Sequence, residues 1–158
     1  MTLDLLTRAA AVIAVLGTAV VYGTDVFSAV VLRPALASVD DRALVSVMGG
    51  VHRYGDRRMP VPGVLGIVAA ATSAVLAAVA AHWAQAIAAA AALVLLLVWV
   101  ALYARVSAPI NRQLTAAAEV DRPLPNGRAL QAKWDRIIGA RAVLQGLALA
   151  ALCVVLAI

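Results

Sequence analysis

The feature that most constrains this chain is a run of 46 residues, Met59 to Ala104, that contains no Asp, Glu, Lys or Arg. A membrane-spanning helix needs about 20 apolar residues, so the run is long enough for two. A soluble helical hairpin this apolar would have to be buried inside a large domain, which a chain of 158 residues is too short to supply. Only 13% of the residues are charged, against about 25% in soluble domains. We therefore predict an integral membrane protein.

The apolar segments predict one domain, residues 1–158, with four spans. We place them at Ala9 to Leu32, Pro60 to Ala81, Gln85 to Ala104 and Ile137 to Ile158. The first run is longer than the roughly 7–15 apolar residues of a signal peptide, so we expect it to be retained. The predicted fold class is an all-α integral membrane protein, a four-transmembrane-helix bundle with short cytoplasmic helical extensions.

Positive charge is concentrated in two connections. Loop one, Arg33 to Met59, and the third connection with its flanks, Arg105 to Arg141, hold all the Lys and Arg residues except Arg8. Because cations are enriched in cytoplasmic loops, both connections should be cytoplasmic and both termini outside, in a bacterial-type plasma (inner) membrane. This role in orientation explains the basic composition, so we predict a lipid bilayer and no nucleic acid as partner.

Both basic connections should contain helix. In loop one, Ser38 is followed three residues later by Asp41, a pattern close to a capping box that predicts a short amphipathic helix. Pro109 follows the apolar third helix and should break or kink it. The breaker-rich segment EVDRPLPNG should then form the turn between extensions of helices three and four.

A carboxylate interrupts the first apolar run. Asp25 lies eight residues before Arg33, which is about 12 Å along a helix, so it should lie inside the hydrocarbon. An ionised carboxylate at that depth requires a partner or water. Tyr22 and Ser28 share its helix face. Asp25 is explained equally well by a polar pocket or proton site and by a structural ion pair.

The fourth helix offers a partner for this carboxylate. Trp134, Ile138, Arg141 and Gln145 recur at helical spacing and form one stripe. A stripe that combines Trp, Arg and Gln is not expected to face lipid. We predict that it faces the bundle core and that Arg141 pairs with Asp25, because a guanidinium suits a buried bidentate contact with a carboxylate.

Two further polar residues lie near the predicted mouth of the bundle. Asn111 follows Pro109 and either caps or hydrogen-bonds the helix or contacts a ligand. His52, in GGVHRYGDRR, is either an ordinary loop residue or a proton shuttle. No grouping of Cys with His or of His with Glu has the spacing of a metal site. The sequence also lacks a Gly-rich phosphate loop and a dinucleotide fingerprint, so we predict neither a metal nor an organic cofactor.

Three segments resemble motifs of one family when they are taken in order. They are GTDVFSAVVLRPAL at the end of the first helix, VSAPINRQL after the third and KWDRIIGARAVL at the start of the fourth. Together they resemble the anthrone oxygenase-like family of small four-span membrane proteins, over nearly the whole chain. The resemblance implies O₂-dependent oxidation of a polyketide anthrone without a cofactor. It also implies that Asn111, Trp134 and Arg141 occupy motif positions.

The resulting prediction is a membrane oxygenase or oxidoreductase that acts on a flat aromatic or quinone-like molecule in the cytoplasmic half of the bundle. Asp25, His52 and Arg141 are the predicted catalytic residues: either of the first two as base, and Arg141 to stabilise an anion. The predicted substrate-binding residues are Tyr22, Asn111, Trp134 and Gln145. Two alternatives stay open: a non-catalytic scaffold or accessory subunit that forms homo-oligomers, and a small proton-coupled transporter.

Overall fold

The computed structural model describes residues 2–158 of the chain. Helix makes up 90% of the structure, and the described residues contain no strand. Four helical segments are long and apolar enough to cross a membrane: Thr2–Ala37, Pro60–Val79, Trp83–Glu119 and Gly127–Ala157. The predicted fold class is therefore confirmed, and the chain is an all-α multi-pass membrane protein.

Three of the four helical segments are longer than the spans predicted for them. The α-helices of the described residues are α1 (Thr2–Phe27), α2 (Arg33–Ala37), α3 (Asp41–Arg58), α4 (Pro60–Val79), α5 (Trp83–Leu102), α6 (Ala108–Glu119) and α7 (Gly127–Ala157); α3 lies between the first two segments. The first segment begins before Ala9 because polar residues continue the helix, where Arg8 pairs with Asp4 one turn earlier at 3.2 Å. The third and fourth segments extend past their apolar parts, as predicted, and the turn lies between Glu119 and Gly127.

Two π-helical turns interrupt these segments, and each one precedes a proline. The turns are Ser28–Leu32, before Pro34, and Tyr103–Ser107, before Pro109. A proline inside a helix removes one amide donor, and its ring collides with the carbonyl four residues earlier. A π turn, in which the amide bonds five residues back, widens the helix at that point. Pro109 therefore leads to a widened turn, and the helix continues beyond it rather than breaking.

Loop one forms a longer helix than predicted, and its cap is a different residue. The N-cap of α3 is Asp40, whose carboxylate accepts a hydrogen bond from the Ala43 amide at 2.8 Å. Ser38, the predicted cap, instead donates its hydroxyl to the Ala35 carbonyl at 2.8 Å, at the end of α2. The prediction of a cap at Ser38 was wrong because the chain completes α2 before α3 begins.

The described residues form two compact units. The first unit comprises residues 2–23, Val61–Trp99 and Val143–Ile158. Its core is built largely from small side chains, including the fully buried Ala14, Ala70, Ala92 and Ala148. A Cβ atom added to Gly17 would lie 2.8 Å from the Gly66 amide nitrogen. Small residues therefore allow α1 and α4 to approach closely, as is common between membrane helices.

The second unit comprises Thr24–Pro60 and Val100–Ala142. Larger side chains form its core, among them Leu44 and Met48 of α3, Leu114 of α6, and Trp134 and Ile138 of α7. α3 packs closely on α6, because a Cβ atom added to Gly49 would lie only 2.6 Å from the Leu114 carbonyl oxygen. The second unit contains most of the polar side chains considered below.

Candidate functional site

Five of the seven predicted site residues lie in the second unit, and all five are buried. These residues are between 3% and 6% exposed: Asp25, His52, Asn111, Trp134 and Arg141. They come from α1, α3, α6 and α7. The structure therefore brings together residues that are distant in the sequence.

The other two predicted residues, Tyr22 and Gln145, belong to the first unit. Gln145 is 1% exposed. Tyr22 packs its ring against Gly146, where an added Cβ atom would lie 3.3 Å from the ring edge. Trp134, Ile138, Arg141 and Gln145 are all buried, which confirms that their stripe faces inward.

Arg141 is held by a carboxylate and a hydroxyl. Its Nη2 donates to Asp25 Oδ1 at 2.9 Å, and its Nη1 donates to Ser107 Oγ at 2.8 Å. The predicted ion pair is therefore confirmed. The guanidinium carbon also lies 5.6 Å from the ring centre of Tyr103 and 5.8 Å from that of Trp134. These contacts hold the guanidinium in one orientation next to two aromatic rings.

A second carboxylate, Asp56, links α3 to the third helical segment. Its Oδ1 accepts hydrogen bonds from the Tyr103 hydroxyl and from Asn111 Nδ2, each at 2.8 Å. Asn111 therefore makes a hydrogen bond within the protein, and its side chain does not cap α6. Asp56 lies four residues after His52, so both project from the same face of α3.

His52 is a buried helical residue, so the interpretation as an ordinary loop residue was wrong. It is 3% exposed, and its ring centre lies 5.5 Å from that of Trp134. Burial lowers the pKa of His52 from 6.5 to about 4, because the charged imidazolium loses its hydration. The charge of Asp56 opposes this decrease, and that of Arg141 adds to it. His52 is therefore neutral at pH 7, with one ring nitrogen able to accept a proton.

Three buried polar atoms in this group have no hydrogen-bond partner among residues 2–158. They are His52 Nε2, Asn111 Oδ1 and Trp134 Nε1. Buried polar atoms are nearly always paired, so these three atoms require an explanation, as do the unpaired side-chain oxygens of Thr18, Gln85 and Gln131 outside the group. The indole nitrogen is a donor, the amide oxygen is an acceptor, and the imidazole nitrogen can be either. The set therefore comprises one donor, one acceptor and one atom that can act as either.

Sequence reasoning missed three residues of this group: Asp56, Tyr103 and Ser107. The last two, with Asn111, recur every four residues. That spacing was the available signal, but the π turn at Tyr103–Ser107 changes which face such residues share. Asp56 follows His52 by four residues in GGVHRYGDRR, but its contacts with Tyr103 and Asn111 depend on the packing of α3 on α6.

A surface pocket borders the polar group. It has a volume of about 250 Å³ and lies between the C-terminal part of α3 and α6. Asp56 lines this pocket and also contacts Tyr103 and Asn111. The buried group therefore lies one side chain from a solvent-accessible cavity. Among residues 2–158, no three His, Cys, Asp or Glu side chains are grouped as a metal site.

No family model, characterised protein or solved structure matches the chain. The resemblance to the anthrone oxygenase-like family therefore depends on its three sequence motifs.

Proposed function

We propose that the buried polar group binds a flat phenolic or quinone-like aromatic molecule and oxidises it with O₂. The observation that carries this proposal is the set of three unpaired polar atoms on His52, Asn111 and Trp134, together with the guanidinium of Arg141, which lies 5.8 Å from the ring centre of Trp134. A hydroxyl or carbonyl group on an aromatic ligand would form the missing hydrogen bonds with these atoms. The rings of Trp134 and Tyr103 would stack on the flat ligand.

The first chemical step requires a base, and His52 is the best placed. Its buried imidazole is neutral at pH 7, with Nε2 free of a hydrogen bond. It would remove a proton from the acidic methylene group of an anthrone-type substrate. The resulting anion transfers electrons to O₂. The methylene group loses both hydrogens and gains one oxygen atom, and the other oxygen atom leaves with those hydrogens as water.

Arg141 would stabilise the anion formed in this step. Its guanidinium is already held by Asp25 and Ser107, so little reorganisation is required when the negative charge develops. Asp25 is in contact with Arg141 at 2.9 Å. We therefore propose Asp25 as a positioning residue rather than as the base or a proton carrier.

The membrane orientation is proposed from the distribution of cations. Loop one and the third connection would face the cytoplasm of a bacterial-type cell, with both termini outside. The polar group would then lie in the cytoplasmic half of the membrane, where a planar apolar substrate can enter from the lipid phase.

Binding can be tested with the fluorescence of Trp134. In a Trp83→Phe/Trp99→Phe background, Trp134 is the only tryptophan. We expect a hydroxyanthraquinone to quench its emission with saturation in the micromolar range, and we expect Asn111→Ala to weaken binding about tenfold by removing one acceptor.

The control is Gln113→Ala, which changes an exposed amide on the same helix. It should leave the quenching curve unchanged. Linear, non-saturating quenching in every variant would contradict a specific site. It would favour the non-catalytic scaffold instead.

A further inference from the structure

The surface pocket between α3 and α6 has its own charge pattern. Three arginines line it, Arg53, Arg57 and Arg112, together with the carboxylates of Asp56 and Glu119. An open pocket of about 250 Å³ with this many cations is suited to a small anion.

Both carboxylates of the pocket are already engaged. Glu119 pairs with Arg53 at 3.4 Å, and Asp56 accepts hydrogen bonds from Tyr103 and Asn111. Among residues 2–158, by contrast, Arg57 and Arg112 have no ion pair. Two guanidinium groups without a carboxylate partner therefore line the same cavity.

The pocket also lies near the ends of the charge-free part of the chain. Arg57 comes three residues before Pro60, the first residue of the second candidate span. Arg112 follows the last residue of the charge-free run, Ala104, by eight residues, or about 12 Å of helix. Phosphate groups of lipids are concentrated at this boundary, and basic pockets between membrane helices bind them.

We propose that Arg57 and Arg112 bind a phosphate group, supplied by an anionic lipid headgroup or by a soluble phosphate ester. A guanidinium presents donors in a fixed fork that matches phosphate oxygens. Neither arginine belongs to the buried polar group, so phosphate binding does not depend on the proposed oxidation, although Asp56 lines the pocket and also contacts that group.

The test uses the full chain in a detergent with an uncharged headgroup. Thermal unfolding is measured with inorganic phosphate against chloride at equal ionic strength, and with phosphatidylglycerol against phosphatidylcholine in mixed micelles. We expect at least one of the two probes to raise the midpoint. A rise with inorganic phosphate indicates a soluble ligand, and a rise with phosphatidylglycerol alone indicates a lipid.

The decisive variant is Arg57→Ala/Arg112→Ala. Both side chains are exposed, so the variant should fold, and its affinity for the stabilising probe should fall about tenfold or more. The matched control, Arg122→Ala/Arg136→Ala, removes two exposed arginines outside the pocket and should keep the affinity. Equal losses of affinity in both variants would show that the stabilisation depends on net charge rather than on the pocket. That result, or no stabilisation by either probe, would overturn the proposal.

Discussion

The ion pair between Asp25 and Arg141 gives the sharpest stability prediction. Asp25 is 3% exposed and Arg141 is 5% exposed, so water cannot replace the carboxylate when it is removed. At an effective dielectric constant of about 20, two unit charges about 4 Å apart attract by about 4 kcal/mol. Breaking a buried pair by removing one partner costs about 3–5 kcal/mol in general. Asp25→Asn should therefore destabilise the fold by about 3 kcal/mol, the lower end of that range, because Ser107 still binds the guanidinium.

The assay is equilibrium or thermal unfolding of purified protein in detergent. For a chain of this size, about 3 kcal/mol corresponds to a decrease of roughly 6–12 °C in the midpoint. The matched control is Asp4→Asn, which breaks the ion pair to Arg8 on the same helix. Because those two side chains are 38% and 39% exposed, this change should cost only about 0.5 kcal/mol or less.

A double-mutant cycle separates the pair from other effects of each substitution. Asp25→Asn/Arg141→Gln removes both charges, so it should cost less than the two single changes added together, with a coupling energy of at least about 1.5 kcal/mol. The reasoning is refuted if Asp25→Asn unfolds at the same midpoint as Asp4→Asn, or if the coupling energy is close to zero.

Three further predictions follow from single contacts. Because His52 is buried in its neutral form, the unfolded chain binds a proton at this histidine more tightly than the folded chain does. The free energy of unfolding should therefore fall by about 3 kcal/mol in total as the pH decreases from about 6.5 to about 4. The difference between the denaturation curves of wild type and His52→Gln, measured against pH, isolates this contribution. Gly49→Ala should destabilise the fold by about 1–3 kcal/mol, since the added Cβ atom would collide with α6. The added Cβ atom of the neighbouring Gly50→Ala meets open space, so this variant should stabilise the fold by about 0.5–1 kcal/mol in the same unfolding experiment. Tyr103→Phe removes the hydroxyl that donates to Asp56 and should cost about 1 kcal/mol, while the exposed Tyr54→Phe should unfold like the wild type.

Much of the helical plan could be predicted from the sequence because lipid imposes simple rules. A charge-free run long enough for two helices leaves few alternatives. The same rules predicted the ion pair, since Asp25 and Arg141 both lie in apolar helical segments, where an isolated charge is costly. The inward-facing stripe of Trp134 and Arg141 followed from helical spacing alone.

The local details required the structure. Helical periodicity cannot be carried across a π turn, so Tyr103 and Ser107 could not be assigned to the face that carries Asn111. The side of α3 that faces inward depends on its packing against α6, where Gly49 permits close contact. The burial of His52 depends on this contact, so it could not be inferred from the sequence of loop one.

Oxygen uptake tests the central claim most directly, because His52 is proposed as the base in an O₂-dependent oxidation. The purified protein is mixed with a hydroxyanthrone, and O₂ consumption and quinone formation are recorded together and corrected for the spontaneous reaction. We predict one O₂ consumed for each quinone formed, and a kcat about 100-fold lower for His52→Gln. The exposed-histidine control His82→Gln should match the wild type. Uptake no faster than the spontaneous reaction, or equal rates for wild type and His52→Gln, would contradict the account.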